Sequence, residues 1–402
     1  MEETTVTKTN KSRIGLIFGI LGATFGFIIL FVIGYVGIVF LSYSRIGNIS
    51  LEIDHASTLL KAPSNTELTA MTYNIGFGAY SQDYTFFMDE GFDEEGNATC
   101  GKQGTAKSYG EVLFNMNGVI NTTKSVNPDF MLYQEVDLDS TRSYRMNQDK
   151  MIQESFASYD HVFAKNFHSM FLPYPLYDMH GAVQSGLSTF SRYRIIDDSA
   201  KRVEYVVPDG LAKIFDLDRC FSIKEVEVDN GKHLYIINSH MSAYDSTGLV
   251  REKQLNALCT ALEEISSSGN YFVVGGDFNH DLLTYNPMYK IGEEFKYTKT
   301  NKPFNEKKKD PSWVSPFFKE DGSSPLSGDF TVYAADNAPT VRNNDIPSKN
   351  GKTYVNCIDG FICSNNVLVT NTEVVATNGG NLGTDYFAFS DHQPVKITFK
   401  LI

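Results

Sequence analysis

The feature that most constrains this chain is a run of 28 residues, 14–41, without a single charged side chain. As an α-helix the run would be about 42 Å long, more than the roughly 30 Å hydrocarbon core of a bilayer. The apolar part of a cleaved signal peptide is much shorter, at about 7–15 residues. The run therefore predicts a tilted, uncleaved transmembrane helix.

Basic residues flank this helix unequally. Lys8, Lys11 and Arg13 precede it, and only Arg45 follows it closely. Because basic flanks stay on the cytoplasmic side, residues 1–13 are predicted to be cytoplasmic and the large C-terminal part extracellular. Residues 42–67 have little pattern and are interpreted as a stalk, so the folded domain is predicted to span 68–402. The chain would then be a single-pass protein of the cell membrane.

Composition narrows what the folded domain can be. Over 402 residues, 42% are apolar and 21% are charged, which excludes a disordered chain or a coiled coil. The net charge of −13 argues against nucleic-acid binding by long-range charge. It leaves a nuclease possible, because bound metal ions supply local positive charge. The five cysteines contain no Cys-x-x-Cys pair and are predicted to be buried free thiols.

From residue 68 onward, short apolar runs alternate with amphipathic segments. Two segments have helical spacing of apolar residues, near 112–120 and 255–265. An acidic segment, 76–109, is interpreted as an insertion or a lid, and a Lys-rich segment, 289–310, as a surface excursion. The apolar runs that predict strands are 68–74, 130–135, 186–195, 233–240, 271–275, 354–363 and 395–402.

Polar side chains follow the ends of these predicted strands. They are Asn74, Glu135, His240, Asp277 with Asn279, and Asp391 with His392. Strand ends of one sheet can converge on one edge, where a cleft forms. Carboxylate and amide oxygens suit a hard cation such as Mg²⁺ or Mn²⁺, and histidines suit proton transfer and stabilisation of a phosphoryl group. The pattern therefore indicates metal-assisted phosphoryl chemistry.

These residues together resemble the endonuclease/exonuclease/phosphatase superfamily, which includes deoxyribonuclease-like and sphingomyelinase-like phosphoesterases. The resemblance looks closest to bacterial, membrane-anchored members. It implies an α/β (α+β) fold, a four-layer αββα sandwich with the site at one edge. The motifs that carry it cover nearly all of 68–402 in family order: Tyr73-Asn74, Gln134-Glu135-Val136, Ser188–Tyr193, Asn238-Ser239-His240, Gly276–Asn279, Ile358–Phe361 and Ser390–Pro394.

The resemblance also implies residue roles. Asn74 and Glu135 resemble the family's metal ligands, and Asp391 a further ligand, direct or through water. The implied cofactor is Mg²⁺ or Mn²⁺. Asp277 resembles the residue that aligns or deprotonates the attacking water, and Asn279 a donor to the phosphate.

The remaining implied roles concern two histidines and an acid. His240 resembles a histidine near the scissile phosphate, and His392 the histidine that stabilises pentacoordinate phosphorus. Asp359 resembles the acid that orients His392. Four further residues are candidates for substrate contact, with a solvated loop as the alternative: Arg142, Tyr144, His180 and Arg342.

The predicted function is a membrane-anchored, divalent-metal-dependent hydrolase of phosphoester bonds. One alternative is an extracellular endonuclease or exonuclease of the same fold, with DNA as a substrate. Another, of a different class, is an inactive, tethered binding module. The sequence leaves the phosphoester open between DNA, a phospholipid head group, and an inositol or sugar phosphate, and it does not indicate an oligomeric state.

Overall fold

The computed structural model describes residues 3–42, 45–92, 98–206, 218–243, 249–289, 316–324, 326, 330–342, 355–379 and 386–402. The chain divides into two compact units, Met1–Arg45 and Ile46–Ile402. The first unit is the helix α1, Glu3–Ser42. Within it, Arg13–Ile38 has a mean hydropathy of 2.7 and is long and apolar enough to cross a membrane. This segment contains most of the predicted span.

The second unit contains two large β-sheets. Its strands, in chain order, are β1 (Ile49–Ser50), β2 (Leu68–Asn74), β3 (Glu90–Phe92), β4 (Ala98–Cys100), β5 (Phe130–Asp137), β6 (Asp160–Leu172), β7 (Gly181–Ser191), β8 (Lys201–Glu204), β9 (Cys220–Glu227), β10 (His233–His240), β11 (Tyr271–Asp277), β12 (Phe330–Ala334), β13 (Val341–Arg342), β14 (Val355–Asn356), β15 (Asp359–Ser364), β16 (Val367–Val374) and β17 (Val395–Leu401). Within the described residues, one sheet has the order β1-β8-β9-β10-β11-β15-β12 and the other β16-β17-β2-β5-β7-β6. Two short pairs, β3-β4 and β13-β14, lie outside them.

Alternation along β2 shows how the sheets pack. Leu68 and Ala70 belong to a buried cluster that also contains Leu234 and Ile236 of the other sheet. Because successive strand residues point to opposite faces, Met71 and the residues in step with it face away from this cluster. The core between the sheets is therefore apolar side chains from both inner faces.

Helices cover the two outer faces. The helix α2 (Tyr109–Val126) buries Val112 and Met116 in one cluster with Met71 of β2. A shorter helix, α3 (Gln148–Ser155), lies between β5 and β6 in the chain. The helix α4 (Leu249–Ser267) packs Leu258 with Phe272 of β11. The order helix, sheet, sheet, helix confirms the predicted four-layer αββα sandwich.

Residues 46–67 differ from the predicted stalk. The strand β1 pairs with β8, and the backbone nitrogens of Ala56 and Ser57 donate to the Asp160 carboxylate at 2.8 and 2.7 Å. Ala62 forms a bridge with Val228. The folded unit thus begins near Ile46, not at residue 68. Single hydrogen bonds and short bridges hold this segment. Because these contacts are irregularly spaced, no periodic pattern in the sequence predicts them.

Three local expectations also need correction. The predicted strand 354–363 is two strands, β14 and β15, which lie in different sheets. In the acidic segment, Tyr80 and Tyr84 are buried, so this stretch packs against the domain and is not a solvated insertion. Cys100 is exposed, whereas the other four cysteines are buried free thiols as predicted. Residues 93–97 and 290–310 of the two predicted insertions lie outside the described residues.

Candidate active site

Strand register brings three candidate residues side by side. The strands β10 and β11 are parallel and end together, with His240 opposite Asp277. The antiparallel strand β15 begins there, with Asp359 opposite Asp277. A Cβ atom on Gly276 would lie 2.0 Å from the carbonyl oxygen of Ser239, so glycine is required for this close approach of β10 and β11.

The second sheet contributes Asn74 and Glu135 to the same edge. Asn74 ends β2 and pairs with Gln134 of β5. The pairing of β5 with β7 shifts register between Tyr133 and Val136, and Glu135 has a φ of 56° at this bulge. A bulge redirects a side chain, and positive φ in a non-glycine residue is strained, as is common at functional sites.

A buried polar network joins the two sheets next to the site. The side-chain amide of Gln134 donates to Asn238 Oδ1 at 2.8 Å. Asn238 in turn donates through Nδ2 to the carbonyl oxygen of Tyr133 at 3.0 Å. These bonds set the relative positions of Glu135, the residue after Gln134, and His240, two residues after Asn238. The sequence motifs contain both amides, but their pairing across the sheets is visible only in the fold.

Asp277 is the centre of the site. Its Oδ2 accepts a hydrogen bond from Asn74 Nδ2 at 3.1 Å and lies 3.5 Å from His240 Nε2 and 3.7 Å from His392 Nε2. Its Oδ1 accepts from the backbone nitrogen of Asn279 at 2.9 Å. Only 2% of the residue is exposed. Burial, followed by the repulsion of Asp359, raises the pKa of Asp277 to about 7, although His392 opposes this shift.

The Asp359 carboxylate lies 2.9 Å from Nδ1 of His392, the ring contact that the sequence predicts. Nε2 of His392 points the other way, toward Asp277 and, at 4.0 Å, Asp391. Burial alone would lower the pKa of His392, but Asp359, Asp391 and Asp277 raise it well above its ordinary value. The raised pKa favours the imidazolium form of His392, whose Nε2 faces the centre of the site.

His240 has the opposite electrostatic state. Burial, with further repulsion from Arg219 and His392, lowers the pKa of His240 well below its ordinary value. Its Nδ1 is buried without a hydrogen-bond partner among the described residues. The site thus holds one neutral and one charged histidine around a carboxylate. Such divergence of pKa values commonly separates acid and base roles in an active site.

The predicted metal ligands fit a hard cation by charge and by donor type. Asn74 Nδ2 lies 3.3 Å from Glu135 Oε1. Burial and then the repulsion of Asp391 raise the pKa of Glu135, so two carboxyl groups crowd one space that a cation would relieve. Asn74 points its amide nitrogen there, since its Oδ1 accepts from Gly76 N at 3.0 Å. For Asn74 to bind a cation through its oxygen, the side-chain amide must flip so that Oδ1 and Nδ2 exchange places.

A second grouping of possible ligand atoms lies beside the first. One atom each of Asp277, Asp359 and His392 lies within 4.8 Å of the others. The Asp359–His392 hydrogen bond already occupies two of these groups. This grouping is therefore better matched to a proton-transfer pair with a base than to a metal centre.

Asn279 holds the loop after β11. It has a φ of 50°, and its Nδ2 donates to the carbonyl oxygen of Met241 at 2.8 Å. Its backbone nitrogen also holds Asp277 in place. The predicted donation to a phosphate would require the second hydrogen of the same amide.

Arg142 and Tyr144 have different surroundings. Arg142 is buried, forms two hydrogen bonds with Asp137 at 2.9 and 3.1 Å, and stacks on Phe77. It is therefore not in a solvated loop, and its main partner is a carboxylate of its own chain. Tyr144 is 41% exposed.

His180 and Arg342 are both buried. His180 packs on Phe86, and its Nδ1 lies 3.1 Å from the carbonyl oxygen of Gly104. Burial lowers the pKa of His180 to about 4, so its ring is neutral and structural in its contacts. Arg342 donates through its backbone nitrogen to Asp391 O at 3.0 Å, which places it beside the site.

The pattern of polar residues at strand ends did not identify two residues that lie near the site. Asp89, from the acidic segment, has its pKa raised to about 8 by burial and then by Asp391. Arg219 directly precedes β9, whose first residue, Cys220, pairs with His240. Polar residues at strand ends were the signal in the sequence. Arg219 lies at a strand's beginning, which reaches the same edge because β9 is antiparallel to β10.

Solved structures of several known proteins are similar to this chain. A solved structure of ANGEL2, a 2′,3′-cyclic phosphatase, in complex with adenosine-2′,3′-vanadate has a TM-score of 0.50 at 16% identity, covering 88% of this chain and 99% of that chain. Truncated TDP2 from Caenorhabditis elegans has a TM-score of 0.48 at 15% identity, covering 85% and 99%. An endonuclease/exonuclease/phosphatase from Beutenbergia cavernae has 0.49 at 15%, covering 83% and 72%.

At these identities the structural likeness concerns the fold. No curated protein matches the chain. The model of the Endonuclease/Exonuclease/phosphatase family matches residues 112–392, which is more than half of the chain. The chain therefore belongs to the endonuclease/exonuclease/phosphatase family.

Proposed function

We propose that this chain is a divalent-metal-dependent hydrolase of phosphoester bonds, anchored in a membrane by residues 14–41 with its catalytic domain outside the cell. Membership of the family supports phosphoester hydrolysis. The observation that carries the proposal is the convergence on one buried oxygen, Asp277 Oδ2, of Asn74, His240 and His392. An ordinary structural carboxylate would pair with one Lys or Arg and would have no such ring of groups suited to phosphoryl transfer.

In the proposed reaction, water attacks phosphorus and the bond to the leaving alcohol breaks. The Asp277 carboxylate aligns the water and accepts its proton at Oδ2. A raised pKa makes Asp277 a stronger base than an ordinary aspartate. The leaving oxygen takes a proton from solvent, so a diester yields a monoester and an alcohol.

His392 supplies the charge that the transition state needs. Its imidazolium, held through Nδ1 by Asp359, donates from Nε2 to a phosphoryl oxygen. His240, neutral, faces the same oxygen of Asp277 through Nε2 and donates or accepts there. A divalent cation bound by Asn74, Glu135 and Asp391 would neutralise charge on the phosphoryl oxygens.

The two alternatives receive less support. An inactive binding module would not need the neutral histidine, the charged histidine and the raised pKa of Asp277 at one place. A nuclease would use the same chemistry, but a net charge of −13 repels DNA at a distance. We therefore place small phosphoesters and lipid head groups before DNA as substrates.

A substrate screen tests this proposal. The purified full-length protein, with Mg²⁺, would be incubated with an aryl phosphodiester, sphingomyelin, inositol phosphates, sugar phosphates and plasmid DNA. Hydrolysis of at least one is expected, and the Asp277→Asn protein purified in parallel should not hydrolyse it. Absence of hydrolysis in the wild type across the screen, or equal rates in the two proteins, would contradict the proposal.

Metal removal is the first prediction. Asn74, Glu135 and Asp391 offer oxygen donors and no thiolate, a set that prefers Mg²⁺ or Mn²⁺ to Zn²⁺. We expect excess chelator to abolish hydrolysis and added Mg²⁺ or Mn²⁺ to restore it, measured by initial rates. Full activity in chelator would remove the metal from the mechanism. Rescue by Zn²⁺ alone would show that the ligand set is misassigned.

Membrane topology is the second prediction. The three basic residues before the apolar run favour a cytoplasmic N-terminus. Protease added to intact cells should therefore digest the domain from Ile46 onward, as followed by immunoblot of a C-terminal epitope. A cytoplasmic marker protein serves as the control for cell integrity. Survival of the domain until the cells are lysed would contradict the outward orientation.

A further inference from the structure

We propose that Arg219 binds the phosphoryl group of the substrate, an inference that rests on the proposed phosphoester chemistry of the site. Arg219 directly precedes β9, and the next residue, Cys220, pairs with His240. Because β9 is antiparallel to β10, its beginning and the end of β10 share one edge. The backbone of Arg219 therefore lies one residue beyond the level of His240, at the edge that carries the site.

The guanidinium of Arg219 is buried, and two of its three nitrogens lack hydrogen-bond partners among the described residues. Arg219 is 4% exposed, and its Nε and Nη1 have no hydrogen-bond partner within the part of the chain that the structure describes. Unpaired buried donors cost free energy, and a charged donor costs more. An unpaired guanidinium that persists in a fold is thus a candidate for pairing with a ligand.

Two neighbouring residues show what an ordinary buried base does in this sheet. Lys224, on β9, is fully buried, and burial lowers its pKa well below the ordinary value of 10.5. Lysine can thus lose its proton, whereas arginine keeps its charge in proteins. Arg202, on β8, is also buried, and its donors reach the carbonyl oxygens of Lys165, Ile46, Gly47 and Asp218. Arg219 keeps its proton, unlike Lys224, and its Nε and Nη1 have no such acceptors among the described residues, unlike Arg202.

The charge of Arg219 acts on the site. It lowers the pKa of His240 after the larger effect of burial, and it opposes the raised pKa of Glu135. Its guanidinium therefore lies near His240, whose Nε2 is 3.5 Å from Asp277 Oδ2. A planar guanidinium forms paired hydrogen bonds to two phosphoryl oxygens, which would supply the acceptors that Nε and Nη1 of Arg219 lack among the described residues. The ligand chemistry that fits is a phosphate mono- or dianion.

Affinity for inorganic phosphate tests this assignment without turnover. Phosphate binding to the full-length protein with Mg²⁺ would be measured by titration calorimetry for the wild type, Arg219→Met and Arg219→Lys. We expect Arg219→Met to weaken binding by about 10- to 100-fold, as charge-assisted hydrogen bonds are lost. Arg219→Lys should lose less, because it keeps the charge but not the planar pair of donors.

Unfolding experiments separate ligand binding from a structural role. Without a ligand, Arg219→Met should unfold at the same or a higher denaturant concentration than the wild type, because it removes an unpaired buried charge. The matched control, Arg202→Met, should unfold at a lower concentration, because it leaves four carbonyl oxygens without their donors.

The outcomes are distinct. Unchanged phosphate affinity in Arg219→Met would overturn the assignment, as would destabilisation equal to that of Arg202→Met. If the wild type hydrolysed no phosphoester but its phosphate binding still depended on Arg219, the assignment would stand and the proposed function would fail. If hydrolysis were normal and phosphate binding ignored Arg219, the assignment alone would fail.

Discussion

Asp277→Asn is expected to lower kcat by about 10³–10⁴, the upper part of the range for a general base. The substitution keeps the shape of the side chain and its bond from the backbone of Asn279. It replaces the oxygen that faces Asn74, His240 and His392 with a group that cannot accept a proton from water. Steady-state hydrolysis at saturating substrate and Mg²⁺ measures the loss.

Asp281→Asn is the matched control for this substitution. Asp281 is also a buried aspartate in the segment after β11, and its carboxylate accepts from the backbone of Leu283 and the hydroxyl of Thr284. We expect it to lower the free energy of unfolding and to leave kcat unchanged in the folded protein. A wild-type kcat for Asp277→Asn would contradict the base role.

His392→Ala is expected to lower kcat by about 10²–10³, the loss typical of a donor that stabilises transition-state charge. It removes the only ring partner of the Asp359 carboxylate among the described residues. Asp359 is fully buried, so the variant also leaves a buried carboxylate without its base, and the free energy of unfolding should fall. Activity must therefore be normalised to the folded fraction, which circular dichroism reports.

Asp359→Asn should cost less activity than His392→Ala. It weakens the orientation and charge of His392 but keeps the ring and its Nε2 donor at the site. Since the two residues act as a unit, the double variant should lose far less than the product of the two single losses. Independent, multiplicative losses in this cycle would show that the 2.9 Å contact has no catalytic role.

The convergence at the sheet edge could be predicted because strand ends and polar residues coincide in the sequence. His240 and Asp277 each end an apolar run, and parallel strands bring such ends together. The four-layer sandwich was predicted from the family motifs and their order along the chain. Glu135 was identified by its motif, but the bulge that turns it, with a φ of 56°, has no signature in the surrounding residues.

The pairing of buried side chains could not be predicted from the strand pattern. Arg142 follows the site strand closely, yet it binds Asp137, because a buried carboxylate five residues away competes for it. His180 lies against Phe86 from a distant segment, which makes it a packed neutral ring. Arg219 carries no motif at all. Its relevance follows from the register of β9 and from missing partners, which only the folded chain reveals.

The attachment of residues 46–67 to the domain could not be predicted either, because it depends on residues that are distant in the sequence. The carboxylate of Asp160 receives the backbone nitrogens of Ala56 and Ser57 across more than a hundred residues. Such bonds impose no spacing on the segment they hold. A soluble fragment for biochemical work should therefore begin near Ile46, because a start at residue 68 would leave the Asp160 carboxylate without these donors.

Isotope transfer from water tests the central claim most directly. The full-length protein would hydrolyse its best substrate from the screen in H₂¹⁸O with Mg²⁺, and the products would be analysed by mass spectrometry. If a water aligned by Asp277 attacks phosphorus, one ¹⁸O atom enters the phosphoryl product and none enters the alcohol. Label in the alcohol would place the attack at carbon and would contradict the account. The account would also be contradicted if Asp277→Asn formed the labelled phosphoryl product as fast as the wild type, because Asp277 would then have no role in the reaction.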